Sequence, residues 1–120
     1  MKMMRMAAIA ALSLFVAGQA DAAQTGKASY YKHGSRTANG ERFNPGGFTA
    51  AHRTLPFGTK VRVTNETNGK SEIVTIIDRG PYIRGRIIDL TVGCAERLGF
   101  RLCGVAPVKV EVLGHFDTKS

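Results

Sequence analysis

Acidic residues, cysteine and long apolar runs are all scarce in this chain of 120 residues. Nine Asp and Glu stand against 17 Lys and Arg, giving a net charge of +8 with His neutral. A surface of that sign favours polyanions. There are two cysteines, so only one intramolecular bridge is possible. The three histidines, His33, His52 and His115, are scattered and lack the spacings of a metal site. No glycine-rich phosphate loop and no nucleophile elbow occurs. Neither a metal nor a cofactor is therefore expected.

The one extended apolar run, Met6 to Gly18, is interrupted only by Ser13 and is too short to span a bilayer comfortably. Lys2 and Arg5 precede it, and Ala20-Asp21-Ala22 follows as a small-x-small cleavage site. This pattern predicts an export signal over residues 1–22 and a mature domain over 23–120; an uncleaved interfacial helix is the alternative. No Cys lies near the cleavage site, so no lipid anchor is expected after cleavage. The destination is the periplasm or the exterior. Losing Lys2, Arg5 and Asp21 leaves a net charge of about +7. Export turns that charge away from nucleic acid and towards cell-wall polymers, lipid head groups and lipopolysaccharide. Because exported proteins meet oxidising conditions, Cys94 and Cys103 are expected to form a disulfide, with two buried free thiols as the alternative. The remaining chain suffices for one domain with a modest core.

Six short strands and one helix emerge from the pattern. Gly26–Tyr31 alternates as a first strand. His33–Gly47 is a long loop rich in Gly, Ser, Asn and Pro, of the kind that often carries function. Phe48–His52 is a short apolar stretch. Thr59–Asn65 alternates with Val61 and Val63 on one face, Asn68-Gly69 signals a hairpin, and Glu72–Ile77 returns with apolar residues on both faces. Gly85–Asp89 is another strand. Thr91 and Gly99 bracket a helix as N-cap and C′ stop. Ala106–Leu113 is the last strand, and the residues from Gly114 read as a frayed tail. Lys60-Val61-Arg62-Val63 echoes Lys109-Val110-Glu111-Val112, which fits a barrel of two similar halves. Closure would remove exposed edges.

Several blocks then occur in order: Ala28-Ser29-Tyr30-Tyr31, Thr37-Ala38-Asn39-Gly40-Glu41, Thr49-Ala50-Ala51-His52, Leu55-Pro56-Phe57-Gly58-Thr59, Asp78-Arg79-Gly80-Pro81 and Gly85-Arg86-Ile87-Ile88-Asp89-Leu90. On these the chain, from about Gly26 to Leu113, resembles the RlpA family of rare lipoprotein A-like proteins. The resemblance implies a mainly β fold, a small six-stranded double-psi β-barrel with one short helix. It also implies lytic transglycosylase activity on peptidoglycan glycan strands, preferentially those stripped of stem peptides, with anhydro-muramyl products. Such chemistry needs a group that protonates the glycosidic oxygen and then takes a proton from the sugar's own C6 hydroxyl. Glu41, His52 and Asp78 are the catalytic candidates, with His52 expected to hydrogen-bond Asp78 or Glu41. Tyr30, Tyr31, Asn44, Arg79 and Asp89 are candidates for substrate binding, Asp89 being equally explicable as a charge near the helix start.

The lipid-anchor cysteine and the C-terminal SPOR module of longer relatives are not seen in the sequence. Binding is accordingly expected from the barrel alone, acting as a monomer. Barrels of this kind also serve expansins, which loosen walls without cleavage, so fold alone leaves the activity open. A wall-binding module and a secreted partner-binding protein stand as the alternatives.

Overall fold

The computed structural model describes residues 23–31, 38, 40, 44 and 46–115; the export signal expected over residues 1–22 lies outside them. The elements are β1 (Ala23–Tyr31), β2 (Thr49–Ala51), β3 (Thr59–Asn65), β4 (Ser71–Asp78), β5 (Arg86–Thr91), α1 (Val92–Leu98) and β6 (Val105–His115). The strands close into a barrel in the order β1-β5-β2-β4-β3-β6. β1 runs parallel to β5 and β2 parallel to β4, while the other neighbours are antiparallel. Exchanging β1, β2 and β3 with β4, β5 and β6 leaves this list of pairings unchanged, so the topology has a two-fold relation between its halves. The echoed segments in β3 and β6 lie against each other, with Val63 opposite Val110 and Arg62 opposite Glu111.

Period-two alternation fills the barrel. Ala28, Ala50, Val61, Val63, Val74, Ile76, Ile88, Leu90, Val108 and Val110 share one buried cluster with Leu98 and Phe100. Small residues recur where strands crowd: a Cβ at Gly26 would come 2.7 Å from the Ile87 side chain. Three register shifts interrupt the pairing: one between Lys27 and Ala28 on β1 opposite Arg86–Ile88, one between Ala50 and Ala51 opposite Ile76–Asp78, and one between Lys60 and Val61 on β3 opposite Gly114–Val112. In each an extra residue is accommodated as in a β-bulge, and the first two fall in Ile-Ile-Asp tripeptides, 87–89 and 76–78.

Helix α1 is capped from both sides. Thr91 Oγ1 accepts from Cys94 N–H, and Gly99 ends the helix in the left-handed region at φ 82°. Asn65 and Asn68, from the β3–β4 turn, both donate side-chain N–H groups to the Leu98 carbonyl at 2.8 and 3.0 Å. The helix is thereby fastened to the opposite side of the barrel.

Three expectations change. Ile73 is exposed, so burial of β4 on both faces is confined to its end at Ile76 and Ile77. The tail expected from Gly114 continues β6, with Gly114 and His115 opposite Lys60 and Thr59. The Cys94–Cys103 disulfide is not formed, and both are free thiols. Cys94 is fully buried, its Sγ 3.7 Å from the Gly47 carbonyl oxygen. The chain after α1 then buries Phe100, and the turn that closes on the Phe100 carbonyl from Cys103 and Gly104 N–H sends Cys103 to the surface.

One thiol should therefore react with a small aromatic disulfide reagent in the folded, unreduced protein, and two in denaturant. The fast thiol should vanish in Cys103→Ser. Finding no reactive thiol before reduction would restore the disulfide.

Candidate functional site

Strand parity turns one set of polar side chains out of the barrel onto a common face. On β1, Ala28 faces the core, so Ser29 and Tyr31 face outward. On β5, Ile88 and Leu90 are buried and Asp89 faces outward beside Ser29, which hydrogen-bonds its carboxylate. Ala51 of β2 is in register with Asp89 on one side and Asp78 on the other. The two aspartates thus flank one small residue. Tyr31 lies within reach of both charges. Its hydroxyl is pushed up to about 12, by burial first and then by the negative charges of Asp78 and Asp89, with a smaller push from Cys94. It stays neutral at any working pH.

The connection between β1 and β2 is tied to this face at two points. Asp78 Oδ1 accepts from Ala38 N–H and from Arg79 N–H, both at 2.9 Å. At the far end Thr91 Oγ1 donates to the Gly47 carbonyl at 2.6 Å. Glu41 lies outside the described residues. It stands three positions along the chain from Ala38, and three residues span no more than about 11 Å. Asn44 forms a local turn, its Oδ1 accepting from Gly46 N–H at 3.1 Å.

His52 is turned the other way. It follows Ala51, so strand parity turns its ring away from that face, and the residue is 5% exposed. Nδ1 accepts from Thr54 and Leu55 N–H at 3.1 and 3.2 Å, which fixes the ring proton on Nε2, where it donates to Gln24 Oε1 at 3.0 Å. The expected imidazole bond to Asp78 is absent among these contacts; the link between the two residues is a backbone one, His52 N–H to the Asp78 carbonyl at 3.1 Å. The ring floors a cavity of about 340 Å³ lined by Gln24, Arg53, Thr54 and Ile87. Burial, then the charges of Arg53 and Arg79, hold its pKa below the ordinary 6.5.

Arg79 likewise has a different occupation from the one expected. Its Nη1 donates to the carbonyls of His52 and Leu55 at 3.1 and 2.9 Å, and the guanidinium lies 4.1 Å from the Phe57 ring centroid. It clamps the 52–57 turn to the end of β4. Tyr30 packs edge-on against Phe100 and donates its hydroxyl to the Arg101 carbonyl at 2.7 Å, so it braces the core. The aromatic that sequence reasoning passed over is Tyr82, 74% exposed in the loop after Asp78. Its ring lies over Gly80, where φ is +123°. The available signal was Tyr between the Gly80-Pro81 turn and a glycine, which favours a short, rigid, exposed loop.

Residues 23–110 match the family model described as lytic transglycolase, of the double-psi β-barrel type. The chain is 59% identical over 95 residues to a probable endolytic peptidoglycan transglycosylase RlpA of a Nostoc species, covering 75% of this chain and 26% of that protein. It is 52% identical over 95 residues to the endolytic peptidoglycan transglycosylase RlpA of Neisseria meningitidis, covering 77% and 40%. The chain thus spans well under half the length of these curated relatives. Among solved structures it superposes on a Streptomyces papain inhibitor with a TM-score of 0.62 at 24% identity, covering 75% of this chain and 93% of that one. It superposes on a Clavibacter michiganensis expansin solved with cellohexaose with a TM-score of 0.61 at 17% identity, covering 76% and 50%. At these identities the solved structures establish the double-psi β-barrel fold alone.

The neutral His52 should make stability pH-dependent. Its folded pKa lies below its unfolded one, so its contribution is complete above about pH 6.5 and declines as pH falls towards the folded value. Melting temperatures from pH 8 to pH 4.5 should fall more steeply for the parent than for His52→Asn, which retains an acceptor near the Nδ1 position. Parallel curves would remove the assignment.

Proposed function

Given that the chain belongs to the lytic transglycolase family of double-psi β-barrel domains, we propose that it cleaves peptidoglycan glycan strands without water. The observation that carries this reading is the outward row of Asp78, Ala51, Asp89 and Ser29, with Tyr31 two residues farther along β1 and the β1–β2 connection tied to Asp78 through Ala38. A carboxyl group brought to a face that already holds two carboxylates supplies the pair of acidic functions that glycosidic cleavage uses.

In this proposal Glu41 carries the proton. It protonates the glycosidic oxygen as the bond to C1 breaks. As a carboxylate it then takes the C6 hydroxyl proton while that oxygen closes on C1 to form the 1,6-anhydro ring. The proton count is restored with no water consumed. Asp78, fixed by two amide donors on one oxygen, is a preorganised anion for the oxocarbenium-like state. Asp89 and Tyr31 bind hydroxyls of the glycan, Asn44 shapes the loop, and Tyr82 offers an exposed ring to an apolar sugar face. His52 and Arg79 take positioning roles, holding the end of β4 and the turn beside it. The protein acts as a monomer in the periplasm or outside the cell.

Amidase-stripped glycan strands incubated with the protein and read by mass spectrometry should yield anhydro-ended fragments. Glu41→Gln and Asp78→Asn should each lower their rate by about a hundredfold or more, with melting temperatures near the parent's. Ordinary reducing ends would replace transglycosylation with hydrolysis. Binding without fragments would favour wall loosening of the expansin kind.

A further inference from the structure

Four consecutive residues, 82 to 85, stand exposed in the turn that leads into β5. Tyr82 and Ile83 are 74% and 54% exposed, which places two large apolar side chains in succession at its tip. The turn is fixed in place. Pro81 before it is buried, and two backbone bonds pin it, Arg86 N–H to the Ile83 carbonyl and Lys27 N–H to the Gly85 carbonyl, both at 3.0 Å. Exposed apolar area costs free energy in water, and a pinned turn cannot fold it away. Cations stand at the base of this tip. Arg84 is next in the chain, and Lys27 and Arg86 are in register across β1 and β5. The bulge at Ile87 sets that pair: Ile87 and Ile88 are both buried, so Arg86 faces outward beside Lys27. Arg53 lies at the same end, lining a cavity with Ile87. None of these four pairs with a carboxylate among the described residues, whereas Arg62, Arg97, Arg101 and Lys109 each pair with a glutamate. Glu72 and Glu96 lie at the other end of the barrel, by α1. The two ends thus differ in charge, with bare cations by the turn and compensated pairs by α1.

We propose that the Tyr82–Ile83 tip, with Lys27, Arg53, Arg84 and Arg86 about its base, docks this end of the barrel on a bilayer surface that contains anionic lipid. Each cation close to such a surface strengthens binding roughly fivefold. The apolar tip enters the head-group layer, where its burial adds to that attraction. Tyr, with an apolar ring and a polar hydroxyl, suits the boundary between hydrocarbon and water. The long Lys and Arg side chains reach lipid phosphates while their stems cover apolar surface. Asp78 and Asp89 repel the same head groups, which turns the carboxylate face away from lipid. Tyr82 cannot serve lipid and sugar at once, so a docked molecule holds glycan through the rest of that face.

Co-sedimentation with vesicles reads docking whether or not the protein cleaves glycan. Vesicles of phosphatidylcholine mixed with phosphatidylglycerol should carry the parent down. Vesicles of phosphatidylcholine alone should bind it at least about tenfold more weakly, a difference that narrows with added salt. Ile83→Ser leaves every charge in place and should weaken binding to the mixed vesicles about tenfold. Lys27→Gln with Arg86→Gln should weaken it by about tenfold or more, with a shallower salt dependence. Leu102→Ser should bind as the parent does, although Leu102 is 99% exposed, because it follows α1 at the other end, beside the Arg101–Glu96 pair. The chain contains no Trp, so emission gives a second readout: Ile83→Trp should shift to the blue on mixed vesicles and Leu102→Trp should not. Failure of the parent to sediment with the mixed vesicles overturns the proposal, as does equal binding to both kinds. So does parent-like binding by Ile83→Ser, which would mark a general polyanion surface. Loss of glycan-strand binding by Ile83→Ser with vesicle binding intact would give the tip to the glycan and overturn it equally. If the double variant fails to fold, Arg84→Gln, at an exposed turn position, carries the same comparison.

Discussion

The three residues of β2 constrain everything else. This strand is hydrogen-bonded to β4 on one side and β5 on the other, so it closes the barrel between strands far apart in sequence. Its two alanines suit that position. Ala50 is buried among Leu90 and Ile76, where a larger side chain would overfill the core. Ala51 points outward and leaves Asp78 and Asp89 on either side of a methyl group. One short strand therefore completes the hydrophobic interior and sets the spacing of the two carboxylates. A slip of one residue would exchange the faces of both.

The bulges refine this arrangement. Each Ile-Ile-Asp tripeptide meets its neighbour with a register shift, so two consecutive isoleucines are buried and the following aspartate is aligned with the site. Core packing and carboxylate placement are linked through the same three residues. The shift at Ile87 also brings Arg86 beside Lys27, which gives the outer face its basic end. Charge separation along that face thus follows from backbone register and needs no special loop.

The turn after β2 is held by a neutral imidazole and a charged guanidinium. His52, as a single tautomer, ties the 54–55 turn to β1 through Gln24, and Arg79 ties the same turn to β4. These residues hold the strand end that carries Asp78. They do so from behind it, which explains how a histidine and an arginine adjacent in sequence to the site can shape it without facing it.

Local pattern was enough for most of the fold. Alternation gave β3 with its full bounds and most of β1, β4, β5 and β6. Thr91 and Gly99 marked the two ends of α1, and the echo between β3 and β6 anticipated a two-fold barrel. Those features depend on neighbours in sequence, where side-chain period and capping chemistry act. Motif order also named Asp78 and Asp89. The direction of each side chain was not legible there. His52, Arg79 and Tyr30 have the right chemistry for a site, yet their hydrogen bonds run to Gln24, to backbone carbonyls of the 52–55 turn and to Arg101. Cys94 and Cys103 are close in sequence but are separated by the burial of Phe100. Pairing across the barrel and the placement of the bulges decide which face a residue occupies, and both are set by contacts between distant segments that no local window of sequence contains.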